Sequence, residues 1–132
     1  MLRLRSEVFV LEQDCVYLDL DNVDQKAHHV IAINGEREVV CCARIVAPGV
    51  KYEGASIGRI VTSPSIRGLG QGKVLVRAAI DACSALFSGK AITISAQQHL
   101  EGFYEAFGFE TTSTPYQEDG IPHIQMTRAA SR

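Results

Sequence analysis

Residues Ile57 to Phe87 read IGRIVTSPSIRGLGQGKVLVRAAIDACSALF, and the fold follows from this stretch. Ile57 to Thr62 is apolar and β-branched, as a strand is, Pro64 marks a turn, and the glycine-dense RGLGQG comes next. From Gly70 to Ser88 apolar residues recur with helical spacing at Val74, Leu75, Ala78, Ala79, Ala82, Cys83, Leu86 and Phe87, and Gly89 is the stop. A strand that passes through glycines into a helix start builds an anion site. The first-turn N–H groups lack internal acceptors, the macrodipole adds partial positive charge, and glycines let a ligand reach the backbone. Arg59, Arg67, Lys73 and Arg77 are expected around the same point, so the ligand carries phosphate.

Spacing narrows the ligand. A Walker A loop ending at Gly72-Lys73 needs a glycine where Arg67 stands and a hydroxyl residue where Val74 stands. A dinucleotide fingerprint needs G-x-G-x-x-G, whereas Gly68, Gly70 and Gly72 run G-x-G-x-G. What remains is R-x-x-G-x-G, formed by Arg67, Gly70 and Gly72.

Working outward, Ala91 to Ala96 is a compact strand expected beside Ile57 to Thr62 through a right-handed crossover. Upstream, His29 to Ile33 and Glu38 to Val46 read as a hairpin about Asn34-Gly35, a turn of the positive-φ type. The spacing of Leu4, Val8 and Leu11 fits the end of a helix, and QDCVYLDLDNVDQ reads as loop. Downstream, Gln98 to Phe107 is a short helix stopped by Gly108, and strands Phe109 to Thr114 and Ile121 to Thr127 flank PYQEDGIP with a turn at Asp119-Gly120. The expectation is one domain over residues 1–132, mixed α/β, with a mostly antiparallel central sheet flanked by helices.

Composition excludes several classes. At net charge −2, with no basic run or aromatic platform, nucleic acid is not a partner, and no apolar run approaches the ~20 residues of a membrane span. The start lacks a secretory signal, so a cytoplasmic protein is expected. Cysteines 15, 41, 42 and 83 lack zinc spacing, and no metal is expected. Glu7, Glu12, Asp14, Asp19, Asp21 and Asp24 meet no lysine or arginine between them, an acidic rim suited to a cationic amine.

The R-x-x-G-x-G motif between strand and helix resembles the pyrophosphate-binding motif of the GNAT acetyltransferases. FYEAFGF (Phe103 to Phe109) resembles their aromatic helix end and Gly-Phe start of the next strand. RSEVFVLEQDCVY (Arg5 to Tyr17), SIGRIVTSPSIRG, SAQQHLEGFYEAFGF and YQEDGIPHIQM (Tyr116 to Met126) are similar to the ElaA-like branch, so the resemblance covers nearly the whole chain. It implies the GNAT acyl-CoA acyltransferase fold and transfer of acetyl from acetyl-CoA to a primary amine of a small molecule or peptide. Such proteins begin with a further strand and the first half of a helix before the RSEVFV stretch. The sheet is therefore expected to lack its first strand, with an open edge that a homodimer would cover.

The resemblance also implies roles. The backbone of Ile60 and Val61 would pair with the pantetheine, with the Val61 N–H on the thioester oxygen. Main chain of Gly68, Leu69, Gly70, Gln71, Gly72 and Lys73, with Arg67, would hold the pyrophosphate. Tyr104 would be the general acid toward the CoA thiolate. Many relatives carry a glutamate base on the organising strand, but Ala55 to Arg59 offers no carboxylate. His123, Glu118 and Glu12 remain open as bases, His123 having the side chain best suited to neutral pH. Glu12, Gln13, Tyr17, Gln97 and Glu118 are the acceptor-pocket candidates. The missing strand glutamate also motivates an alternative, a CoA-binding module without turnover.

Overall fold

The computed structural model describes residues 1–12 and 21–130, with side chains for all of these but 10–12. Helix α1 (Leu2–Arg5) runs on into a π-helical segment, Ser6–Glu12. Strands β1 (His28–Ile33), β2 (Val39–Val46) and β3 (Ala55–Thr62) form a meander. A 3-10 turn at Pro64–Ile66 leads to α2 (Gln71–Leu86), followed by β4 (Ile92–Gln97) and α3 (Glu101–Glu105). Strands β5 (Phe109–Thr111), β6 (Tyr116–Glu118) and β7 (Ile121–Arg128) close the chain. The sheet runs β1-β2-β3-β4-β7-β5, with β6 also on β7, and every pair is antiparallel except β3–β4.

That parallel pair is short. Only Ala55↔Ile92 and Ser56↔Thr93 are paired, after which β3 and β4 diverge. The Ala55 N–H donates to the Ala91 carbonyl (3.0 Å), and a Cβ on Gly54 would stand 2.5 Å from the same oxygen. Gly54 therefore lets the two strands meet at the vertex of a V. Farther along β3, Gly58 lies opposite Arg44 and Val61 opposite Cys42, so Arg59 and Ile60 together face Ala43. This is a β-bulge, with Arg59 at φ +48.

Alternation gives the sheet two unlike faces. Cys41, Ala43, Ile45, Ala55, Ile57, Ile92, Ile94, Ala96, Ile124 and Met126 pack against Leu75, Val76, Ala79, Ile80 and Cys83 of α2 and against Tyr104 and Phe109. The other face carries a small apolar cluster, Leu4, Val8, Cys42 and Val61, and a broad polar field that includes Arg44, Thr93 and His123. Burying the α2 stripe at about 25 cal/mol per Å² drives this packing. Edge strand β1 pairs only with β2 among the described residues and leaves Ile31 and Ile33 about half exposed.

One turn and one strand differ from the sequence reading, while the turn at Asp119-Gly120 stands where it is expected. The β1–β2 loop places positive φ on Arg37 rather than on Asn34-Gly35, because the Asn34 side chain accepts from the Glu36 and Glu38 N–H groups and lengthens the loop. The two-residue positive-φ turn is Asp119-Gly120 (φ 52 and 78), and it joins a strand, β6, within the stretch read as turn alone. A three-residue strand on one neighbour has no periodicity to reveal it.

Candidate active site

The divergence of β3 and β4 opens a cleft of about 270 Å³ through the sheet. Its walls are residues 57–62 of β3 and Ile94, Ser95, Ala96 and Gln97 of β4, with Tyr104 from α3, Glu118 and Asp119 from the β6–β7 turn, and His123 from β7. Arg67, Val8, Phe9, Leu100 and Ile121 complete it. Of the sequence candidates, Ile60, Val61, Arg67, Gln97, Tyr104, Glu118 and His123 meet here. Gln13, Tyr17 and the Glu12 side chain lie outside the described residues.

At the open end, the α2 N-terminus is capped by Gly70 in the left-handed region, with no side-chain cap and no acidic residue in the first turn. Gly68 and Gly70 hold φ +83 and +76, and a Cβ at Gly68, Gly70 or Gly72 would project into open space. Gly68, Leu69, Gly70, Gln71 and Lys73 form an exposed rim, with Gly72 partly buried among them, outside the cleft lining. The arrangement fits a pyrophosphate: backbone donors, the positive end of a 16-residue helix, and no side chain in the way. Arg67 reaches back to the Thr62 carbonyl (3.1 Å) and ties the loop to β3. Arg77 lies elsewhere, and Arg59, although it lines the cleft with Arg67, reaches to Asp21, a correction to the expected basic cluster. Arg59 contacts Asp21 (3.5 Å) from within the bulge, and the Arg77 guanidinium lies 5.3 Å from the Phe107 ring centroid.

The Val61 N–H is likewise redirected. Ser63 N–H donates to the Val40 carbonyl (2.7 Å), and alternation carries that orientation back to Val61, opposite Cys42. Its N–H therefore points toward β2, and the amide turned to the cleft is that of Ile60. The bulge sets this phase, and a bulge leaves no mark in apolar patterning.

Tyr104 enters from the α2 face. Its ring packs edge-on against Phe103 and Phe109, and burial pushes its phenol up to about 12. Its hydroxyl makes no hydrogen bond to a described residue. His123, 8% exposed, enters from the polar face. Its Nδ1 lies 2.7 Å from the Ile121 carbonyl and its Nε2 lies 3.2 Å from Glu118 Oε2. Cross-strand pairing sets Gln97 and Tyr116 on either side of it, and the Tyr116 ring stacks on the imidazole (6.3 Å, 26°). Ser95 Oγ bonds to both Tyr116 and Glu118. Ser95 and Tyr116 carried no motif and escaped sequence reading; only the β6–β7 register brings them to the site.

The acidic rim is corrected in part. Asp21 and Asp24 face the guanidinium groups of Arg5, Arg44 and Arg59 rather than solvent. Arg44 grips Asp21 through both carboxylate oxygens (2.8 and 3.1 Å) and reaches Asp24 (3.3 Å), which also holds Arg5 (2.8 Å) and His29 (3.4 Å). Burial alone would raise Asp21, but hydrogen bonds from Arg44 and the Val23 N–H and the charges of Arg44 and Arg59 outweigh it. They hold the carboxyl well below the usual range. For Asp24, burial is likewise outweighed by Arg5, His29 and Arg44.

A split sheet, a glycine-capped helix start and a cleft that joins two chemically different faces define an acyl-CoA N-acyltransferase architecture. Residues 7–130 match the family model described as the acetyltransferase (GNAT) domain, and the chain belongs to that family. The chain is 38% identical to protein ElaA of Escherichia coli over 130 residues, 97% of this chain and 84% of ElaA, which places it in the ElaA-like branch. Among solved structures, an acyl-CoA N-acyltransferase from Pseudomonas aeruginosa superposes with a TM-score of 0.90 at 36% identity, covering 97% of this chain and 87% of that one. An aminoglycoside 6'-N-acetyltransferase complexed with coenzyme A shares the fold at TM-score 0.71 and 17% identity, over 96% and 88% of the two chains. No helix of the described residues is long and apolar enough to cross a membrane.

Proposed function

We propose that this chain transfers an acetyl group from acetyl-CoA to a primary amine of a small molecule or peptide, by direct attack within a ternary complex. The observation that carries the reading is the through-sheet cleft, whose lining runs from Arg67, next in sequence to the Gly68–Lys73 rim, to Tyr104 on one face and to His123 and Glu118 on the other. Pantetheine would enter along the edge of β3 that β4 leaves vacant beyond Ser56, with Ile60 N–H directed at the thioester oxygen. A cleft near the lower bound of ligand pockets favours a short acyl group. The solved aminoglycoside acetyltransferase with coenzyme A lends the cofactor reading support by fold. Buried thiols such as Cys41 and Cys83 suit a reducing, cytoplasmic compartment.

The amine nitrogen attacks the thioester carbon, the C–S bond breaks, and two protons move. One leaves the amine for the His123–Glu118 pair. The neutral ring has one proton for the Ile121 carbonyl and Glu118, and in either tautomer the pair keeps an acceptor, the carboxylate or Nε2, for the amine proton. The other passes from Tyr104, a phenol that is protonated at neutral pH, to the departing thiolate. Glu118, half exposed, also offers a negative charge to an incoming ammonium.

The test is acetyl-CoA binding by calorimetry followed by thiol release across a panel of primary amines. Arg67→Glu with Gly70→Glu should abolish binding, and Tyr104→Phe should lower kcat about 10- to 100-fold with CoA affinity kept. A folded wild-type chain that binds no acetyl-CoA overturns the reading. Binding without thiol release from any amine reduces the protein to the CoA-binding module.

A further inference from the structure

Hydrogen-bond bookkeeping around Glu118 gives the polar chain a direction. A carboxylate only accepts, so Ser95 donates its single hydroxyl proton to Glu118 Oε2 (3.3 Å). The Ser95 oxygen is then the acceptor of its bond with Tyr116, and the Tyr116 hydroxyl donates. The same Oε2 faces His123 Nε2, while the Tyr116 ring is stacked beside that imidazole, 6.3 Å between centroids and tilted by 26°. Tyr116 thus touches both members of the pair, one through Ser95 and one through its ring. Three strands contribute: β4 supplies Ser95, β6 supplies Tyr116 and Glu118, and β7 supplies His123.

We infer that Tyr116 and Ser95 are positioning residues that hold Glu118 Oε2 against His123 Nε2 before any acceptor arrives. The inference rests on the reading of His123 and Glu118 as the amine-side base. Glu118 needs such a restraint. It is half exposed and stands at the end of β6 beside the turn, where a flexible carboxylate would otherwise swing into solvent. In the sequence Tyr116 → Ser95 → Glu118, each donor polarises the next, so loss of the terminal phenol hydroxyl frees Ser95 to rotate and weakens its bond to Glu118. The imidazole is sensitive to the outcome. Its neutral form has one proton for two acceptors, the Ile121 carbonyl at 2.7 Å and Glu118 at 3.2 Å, so the tautomer ratio reports where Glu118 is held.

The experiment uses the full chain with ¹⁵N-labelled histidine, at a pH where the ring is neutral. The ring nitrogens of His123 are assigned through His123→Gln, and wild type is compared with Tyr116→Phe, Ser95→Ala and Glu118→Gln. All three substitutions should move the two ring nitrogens in opposite directions, toward the Nδ1–H tautomer, changing the ratio about threefold or more. Tyr116→Phe keeps the stacked ring, so packing loss does not produce this signature. A wild-type pattern in Tyr116→Phe and Ser95→Ala, against a changed one in Glu118→Gln, overturns the positioning role. A wild-type pattern in Glu118→Gln overturns it as well, since the carboxylate is then not held at Nε2. Failure of the base reading looks different: His123→Ala would acetylate amines at the wild-type rate, whatever the tautomer ratio shows.

Discussion

Replacing Arg44 with leucine tests whether the paired charges under the bulge hold β2, β3 and the Asp21–Asp24 segment together. The guanidinium is 1% exposed and makes three carboxylate contacts, two to Asp21 and one to Asp24. Breaking a buried pair from one side costs about 3–5 kcal/mol when the orphaned charge stays buried. Here Asp21 is 27% and Asp24 17% exposed, Asp21 keeps Arg59, and Asp24 keeps Arg5 and His29, so the expected loss falls to about 2–4 kcal/mol. Urea unfolding at pH 7 measures it. The sign with pH follows from the depressed folded pKa values of Asp21 and Asp24. Their contribution is fully present above the unfolded value of about 3.9 and is lost as pH falls through the lower folded values. The gap between wild type and Arg44→Leu should therefore narrow between pH 5 and pH 2.5. A loss under about 0.5 kcal/mol at pH 7, the range of an ordinary surface change, would refute the reasoning. So would a gap that stays constant down to pH 2.5.

Gly54→Ala should destabilise by about 1–3 kcal/mol, because its Cβ would meet the Ala91 carbonyl at 2.5 Å, while Gly35→Ala, with nothing within 4 Å, should melt close to wild type. Equal melting temperatures for the two variants would mean that the vertex opens without cost. Tyr104 has a folded pKa raised to about 12, so the stability it confers is complete below pH 10 and is lost as pH rises from there toward about 12. Wild type should lose stability relative to Tyr104→Phe as pH rises from about 10 toward 12, and a difference independent of pH would show that the phenol titrates alike in folded and unfolded chains.

Sequence legibility followed local signal. The strand, the glycine rim and α2 were readable because β-branched residues, breakers and a 3.6-residue period each act within a few positions; helix bounds of 71–86 lie inside the expected 70–88. Tyr104 was named by resemblance and His123 by its side-chain chemistry once β3 offered no carboxylate, and the fold brings them to one cleft. What escaped depends on register. The direction of the Val61 amide is set by two residues of β3 sharing one partner on β2, and Ser95 and Tyr116 matter only because a two-residue turn brings Tyr116 opposite His123. The acidic segment was legible as charge but not as pairing, since Arg44 sits 23 residues from Asp21 and Arg59 sits 38.

The geometry also accounts for the missing strand carboxylate. A base on β3 is reachable only where side chains of that strand project onto the polar face, and here those positions carry Ser56, Gly58 and, through the bulge, Arg59 drawn toward Asp21. The opposite wall of the cleft is free to supply the group instead. The Asp119-Gly120 turn fixes Glu118 opposite Ile121 and Tyr116 opposite His123, so Tyr116 and Glu118 rise on the same face, two residues apart, with His123 between them. On the far side of the sheet the core face delivers Tyr104 to the same opening. On the proposed mechanism, acid and base would approach one gap from opposite faces, which would keep the thiolate proton and the amine proton on separate paths. The same gap in strand pairing that would admit a pantetheine arm would let the two groups act on one bond.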